Sequence, residues 1–167
     1  IPFFQGDTGS IYTHDVSGTD DTATYNTAYG LTALDAVTTA DNCTAIGYGA
    51  LGALTTAASV TAIGSGAGAA VLGGLQAVLI GHNAGTAITN GVENTLIGHN
   101  AGSGFDTEGR NIAIGTHALS GSVAGGEYNI AIGNNSLDGL TTGDNNVVIG
   151  YAAGGALTTG DENVIIG

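Results

Sequence analysis

Apolar and polar positions recur along most of this chain with a period of 17 residues. The marker is an Ile-Gly pair, found at Ile46-Gly47, Ile63-Gly64, Ile80-Gly81, Ile97-Gly98, Ile114-Gly115, Ile132-Gly133, Ile149-Gly150 and Ile166-Gly167. Every step is 17 residues except one of 18, from Gly115 to Gly133. Tyr29-Gly30 begins the series with a substitution. A fixed period of this length signals stacked structural units rather than one globule.

Columns emerge when each repeat glycine is set as the origin. One residue before it stand Ile46, Ile63, Ile80, Ile97 and their equivalents; three before it stand Thr27, Thr44, Thr61, Val78, Thr95, Ile112, Ile130, Val147 and Val164. These two columns share one face of a strand, because side chains alternate, and both are rich in strand-favouring β-branched residues. The column between them, Ala28, Ala45, Ala62, Leu79, Leu96, Ala113, Ala131, Val148 and Ile165, points the other way and is also apolar. A strand apolar on both faces is buried on both. The pattern therefore predicts an all-β, parallel β-solenoid or β-roll of 17-residue coils. Its second apolar face calls for partner copies around a three-fold axis, that is, a parallel homotrimer. A flattened single-chain solenoid with an Ala-rich outer face is the alternative.

Three residues after each glycine comes a small side chain, from Ala33 to Ala153, which reads as a tight interior corner. Val37, Leu54, Val71, Ile88, Phe105, Val123, Leu140 and Leu157 follow. These positions predict a second strand in each coil, with the 18-residue step absorbed between Leu119 and Val123. Polar turns such as 141–145 and 158–162 separate the strands, with Gly, Asp and Asn supplying the turn chemistry. Asn26, Asn94, Asn111, Asn129, Asn146 and Asn163 share one register, four before the glycine, and predict an Asn ladder from turn to turn. Cys43, Val60 and Ala77 replace Asn in three coils. About eight coils over residues 26–167 would span roughly 35–40 Å at the spacing of paired strands. Residues 1–25 do not fit the register and read as a capping or connecting segment. Gly167 closes a repeat without a polar cap, so the expectation is a fragment of a longer chain.

Composition narrows the function. Gly makes up 31 of 167 residues, yet 43% of the chain is apolar, which argues for a packed fold rather than disorder. The net charge is −13 and Arg110 is the single Lys or Arg, so nucleic-acid binding and attraction to an anionic membrane have no electrostatic basis. No apolar run is long enough for a transmembrane helix, and the first residues lack the basic start and apolar stretch of a signal peptide. Cys43 is alone, so no disulfide forms within the chain.

The segments from Asn26 to Leu34 (NTAYGLTAL) and from Cys43 to Leu51 (CTAIGYGAL) resemble the NTAxGxxAL repeats of phage tail-fibre proteins and related bacterial surface proteins. The Asn-x-x-Ile-Gly core is also similar to the β-roll head repeats of trimeric autotransporter adhesins, whose repeat is shorter. The resemblance covers residues 26–167. It implies an extracellular, trimeric fibre on a virion or a bacterial surface that mediates host attachment. Phage fibre and cell-surface adhesin are both consistent with it. A self-assembling extracellular filament subunit and a β-solenoid ice-binding protein are the alternative functions.

Candidate chemistry is sparse. Tyr48, His82, His99 and Tyr151 share the column just after the glycine, and Asn83, Asn100 and Asn135 lie in the next. Such a column could stack on and hydrogen-bond a host glycan or protein receptor, or line a three-fold axis as metal-binding imidazoles. His117 lies one column away and His14 outside the rod. As a plain polar face, the column would need no ligand. The acidic turns read as solvated loops rather than calcium loops. Neighbouring acids such as Asp161 and Glu162 point apart, and Ser103, His99 and Asp106 are close only in sequence, so no catalytic set and no cofactor is expected. Thr38-Thr39, Thr55-Thr56, Thr141-Thr142 and Thr158-Thr159 share a register suggestive of ice binding, but the array is broken elsewhere and lies at a turn.

Overall fold

The computed structural model describes residues 4–5, 9–13, 22–73, 76–121 and 125–167. It is a β-solenoid of about eight turns built on one sheet of eleven strands in chain order. The strands are β1 (Phe4–Gln5), β2 (Ile11–Tyr12), β3 (Thr27–Tyr29), β4 (Thr44–Ile46), β5 (Thr61–Ile63), β6 (Val78–Ile80), β7 (Thr95–Ile97), β8 (Ile112–Ile114), β9 (Ile130–Ile132), β10 (Val147–Ile149) and β11 (Val164–Ile166). From β2 onward all pairings are parallel, and only β1 runs antiparallel to β2. Each repeat lies in register on the next, so Thr44, Ala45 and Ile46 pair with Thr61, Ala62 and Ile63. The expected parallel solenoid of 17-residue coils is what the chain forms.

The expected second strand is absent. Among the described residues each coil has one three-residue strand, followed by two successive turns. In the second coil the Ala50 amide donates to the Gly47 carbonyl at 3.3 Å and the Leu54 amide to the Leu51 carbonyl at 3.1 Å. The cause is backbone geometry: the residues two and four after each glycine take left-handed angles, as at Asn100 (φ 55°) and Leu51 (φ 51°). A left-handed residue turns the chain and cannot extend a strand. The turns still stack, since the Leu51 amide reaches the Ala67 carbonyl of the following coil at 3.0 Å. The 18-residue step falls partly on residues 122–124, outside the described residues.

The faces also sort opposite to the single-chain alternative, which placed the Ala-rich face outside. The middle strand column, Ala28, Ala45, Ala62, Leu79, Leu96, Ala113, Ala131 and Val148, is the buried one and faces the coil interior. The β-branched columns face outward, giving the repeated burial pattern of a buried residue between two more exposed ones. Ile46 and Ile149 are each 38% exposed. Narrowness decides this: small strand residues leave room for the turn side chains that close the coil from the other side.

Interior volume is balanced between strand and turn in most coils; the exception is the coil of Ala62 and Gly68, where Leu51 and Leu79 of the neighbouring coils reach the space beside Gly68. Where the strand supplies Ala28, Ala45, Ala113 or Ala131, the residue four after the glycine is Leu34, Leu51, Leu119 or Leu137, fully buried. Where the strand supplies Leu79 or Leu96, that residue is Gly85 or Gly102. A Cβ on Gly102 would lie 2.6 Å from Leu96 Cδ1, so the strand leucine occupies the space the turn leucine would fill. Close packing of this kind tolerates one large side chain per coil at this place.

The start of the chain joins the stack further than the sequence register indicates. Ile11 and Tyr12 pair with Thr27 and Ala28, which puts fully buried Tyr12 in the inner column. Ser10 takes the place of the ladder asparagine, its Oγ accepting from the Asn26 amide at 3.0 Å. Residues 14–21, with His14, Asp15, Asp20 and Asp21, lie outside the described residues.

Candidate functional site

The Asn ladder forms as expected and is buried. The side-chain oxygens of Asn94, Asn111, Asn129 and Asn146 each accept the backbone amide of the next ladder residue at 2.9–3.0 Å. Their Nδ2 groups donate to turn carbonyls, for example Asn129 to Gly143 at 2.9 Å. Buried amides satisfied on both sides hold successive turns in register. Cys43 continues the ladder through its amide, which donates to Asn26 Oδ1 at 2.8 Å, and burial pushes its thiol pKa up.

The acidic turns are bonded rather than simply solvated. Asp144 Oδ1 accepts from the Glu127 amide at 2.8 Å, and Asp161 Oδ1 accepts from the Asp144 amide at 2.9 Å. Glu108 is buried, and its carboxylate accepts three backbone amides, from Asp106, Thr107 and Gly125, at 2.7–3.1 Å. Arg110 bridges Glu93 and Glu127 of the coils on either side at 3.1 and 3.4 Å and lies over the Tyr128 ring. The first threonine of three of the four turn pairs is likewise occupied: Thr38, Thr55 and Thr141 hydroxyls donate to carbonyls of the following coil at 2.8–3.2 Å. Asp106 is engaged by the Thr89 hydroxyl, and no hydrogen bond joins Ser103, His99 and Asp106. No group of three His, Cys, Asp or Glu among the described residues is placed to hold a metal ion.

What remains outward-facing is the corner just after the strand. Tyr48 is 63% exposed and Tyr151 76%, and His82 and His99 are exposed between them. The four stand in one line, as their spacing requires, but not as one contiguous ring surface. Ser65 separates Tyr48 from His82, and Thr116 and Asn134 separate His99 from Tyr151. Asn83, Asn100 and Asn135 are half-buried turn residues with left-handed φ of 55–57°. Each donates its backbone amide to the preceding coil, Asn100 to the His82 carbonyl at 3.0 Å. Asn tolerates this conformation better than most residues, which accounts for its presence without a ligand.

His82 and His99 lie parallel, centroids 5.3 Å apart and planes 12° apart. His117 joins them, edge-on to His99 at 5.3 Å, although its column set it apart in the sequence. Adjacent columns on adjacent coils are within reach across a strand spacing, and that was the missed signal. Stacking turns the inner faces of His82 and His99 toward each other, so the ring edges are left for contact. Sugar stacking is therefore better served by Tyr48 and Tyr151, and the histidines offer hydrogen-bonding edges. Comparison with protein-family models, curated proteins and solved structures gives no match for this chain.

Proposed function

We propose that this chain is a segment of an extracellular attachment fibre, a phage tail fibre or a cell-surface trimeric adhesin, working as a parallel homotrimer. The carrying observation is where the polar side chains go: Asn, Asp, Thr and the buried Glu108 are spent on coil-to-coil bonds. Such a stack supplies stiff length, and stability accumulates rung by rung. An uncharged β-branched face left open along the rod supports association of copies. The Tyr48, His82, His99 and Tyr151 corner is the proposed contact for a host glycan or protein receptor. We assign no catalysis, cofactor, nucleic acid or membrane insertion; no helix is long and apolar enough to cross a membrane among the described residues. Immunogold labelling of source material tests the reading. Label along virion fibres or cell-surface projections supports it; label confined to the cell interior contradicts it.

One observation favours ice binding as the second reading. Thr27, Thr44 and Thr61 face outward on three successive rungs two residues from the isoleucine column, with Thr95 beyond Val78, a strand-face array distinct from the bonded turn threonines. Thermal hysteresis of the purified chain would support that reading, and its absence would remove it.

A further inference from the structure

We infer that copies of this chain meet through the outward face of β3 to β11, each copy seating its Tyr/His corner beside the acidic edge of the next. This rests on the assembly proposed above and specifies its surface and sense.

The outward face is a strip of nine rungs and two columns. It contains no charged residue, although the chain carries a net charge of −13. Ile46, Ile63, Ile114 and Ile149 stay more than a third exposed there, with Val78, Ile112, Ile130 and Val147 half-buried beside them. A single chain leaves this strip open from end to end, well beyond the isolated apolar residues any soluble surface shows.

The two edges of the strip differ in charge. The edge before the strands carries Asp41, Glu93, Glu127, Asp144, Asp161 and Glu162, with Arg110 its one cation. The edge after the strands carries no acid in the two columns beyond the glycine, and it carries all three described histidines. Symmetry then selects the sense of docking. Copies related by an axis along the rod place the acidic edge of one against the Tyr/His edge of the next. Copies turned end over end place acidic edge against acidic edge, which like-charge repulsion disfavours. A second copy, parallel, is thus the occupant that suits both the uncharged strip, where Thr27, Thr44, Thr61 and Thr95 stand among the β-branched apolar residues, and its edges.

Area points the same way. Nine rungs about 4.8 Å apart and two columns wide give roughly 400–500 Å² per copy. A stable interface covers about 800 Å² per partner, so the strip alone falls short and the two flanking edges must take part. The arrangement is heterologous, corner to opposite edge, and closes into a ring about the rod axis.

Cross-linking tests the sense directly. Ile63→Cys and Ile132→Cys sit on the third and seventh rungs, so full antiparallel overlap would bring residue 63 of one copy to residue 132 of another. Native Cys43 is buried and serves as the unreactive background. Each variant alone, treated with a short bifunctional thiol cross-linker, should give covalent dimers, the most that one reactive thiol per copy allows, with wild type giving none. Cross-links only in a mixture of the two variants would overturn the parallel sense. Absence of cross-links in a species heavier than a monomer would overturn the surface while leaving assembly intact. A monomer by native mass would overturn both. For the edges, Tyr48→Asp with Tyr151→Asp should weaken assembly several-fold at low salt, with recovery at high salt as charges are screened. Assembly unchanged at low salt would overturn the edge pairing.

Discussion

At Gly98 two constraints fall on one residue. Its φ is 142°, and an added Cβ would lie 2.6 Å from the Gly115 carbonyl carbon of the next coil. The conformation is open to glycine alone, and the close approach of backbones forbids a side chain even if the angle were accepted. Gly98→Ala should therefore lower stability by about 2–5 kcal/mol, the sum of backbone strain and overpacking. Gly155→Ala, at an exposed turn where the nearest atoms include a flexible Asp138 carboxylate, should stay within about 0.5 kcal/mol. Chemical denaturation of the two variants checks the contrast. At Cys43 burial raises the thiol pKa from its ordinary value. A raised folded pKa means that the neutral thiol is favoured in the fold. Its contribution is fully present below the unfolded pKa and is lost as pH rises through the folded value. A thiol reagent at pH 8 should label Cys43 only as fast as the rod opens; prompt labelling of the folded protein would contradict that.

At the scale of the element, the coils with Ala28, Ala45, Leu79, Leu96, Ala113 and Ala131 divide their interior between a strand side chain and a turn side chain. Leu119 and Leu137 adopt left-handed angles that cost a leucine about 1–2 kcal/mol, and they are retained because Ala113 and Ala131 leave space that must be filled. Leu96→Ala should cost about 2–5 kcal/mol through the cavity it opens. Adding Gly102→Leu to that variant rebuilds the Ala/Leu arrangement of the neighbouring coil and should recover part of the loss, whereas Gly102→Leu alone should destabilise. Thermal unfolding of the three variants reads this cycle, and additive losses would refute the shared volume. This pairing explains what the sequence concealed. The repeat glycines and strand triplets, repeated nine times, and the Asn ladder, repeated six times, were legible because each is a local rule. The turns were not, because leucine and asparagine in left-handed conformations look like ordinary strand or loop residues until the stack imposes their angles. Which face is enclosed was not legible for the same reason: both strand faces are apolar, and only the closing turn decides between them. His117 escaped notice because its neighbour His99 lies in another column.

At the scale of the whole molecule, the rod spends its ladder asparagines, several turn Asp and Thr side chains and Glu108 on coil-to-coil bonds and leaves an uncharged strip for its own kind. The stack follows from the period; the strip follows from the orientation of the strands; assembly is the inference that joins them. Longer fibres of the same repeat would gain contact area in proportion to rung number, so association should strengthen with length. In that assembly the corner of Tyr48, His82, His99 and Tyr151 sits at the seam between copies, so a receptor would meet it only where the seam opens to solvent; loss of glycan or cell adhesion in Tyr48→Ala with Tyr151→Ala, at unchanged native mass, would locate it. The most direct measurement is the native mass of the chain at micromolar concentration. The account predicts three times 16.2 kDa, and a species of 16.2 kDa would contradict it.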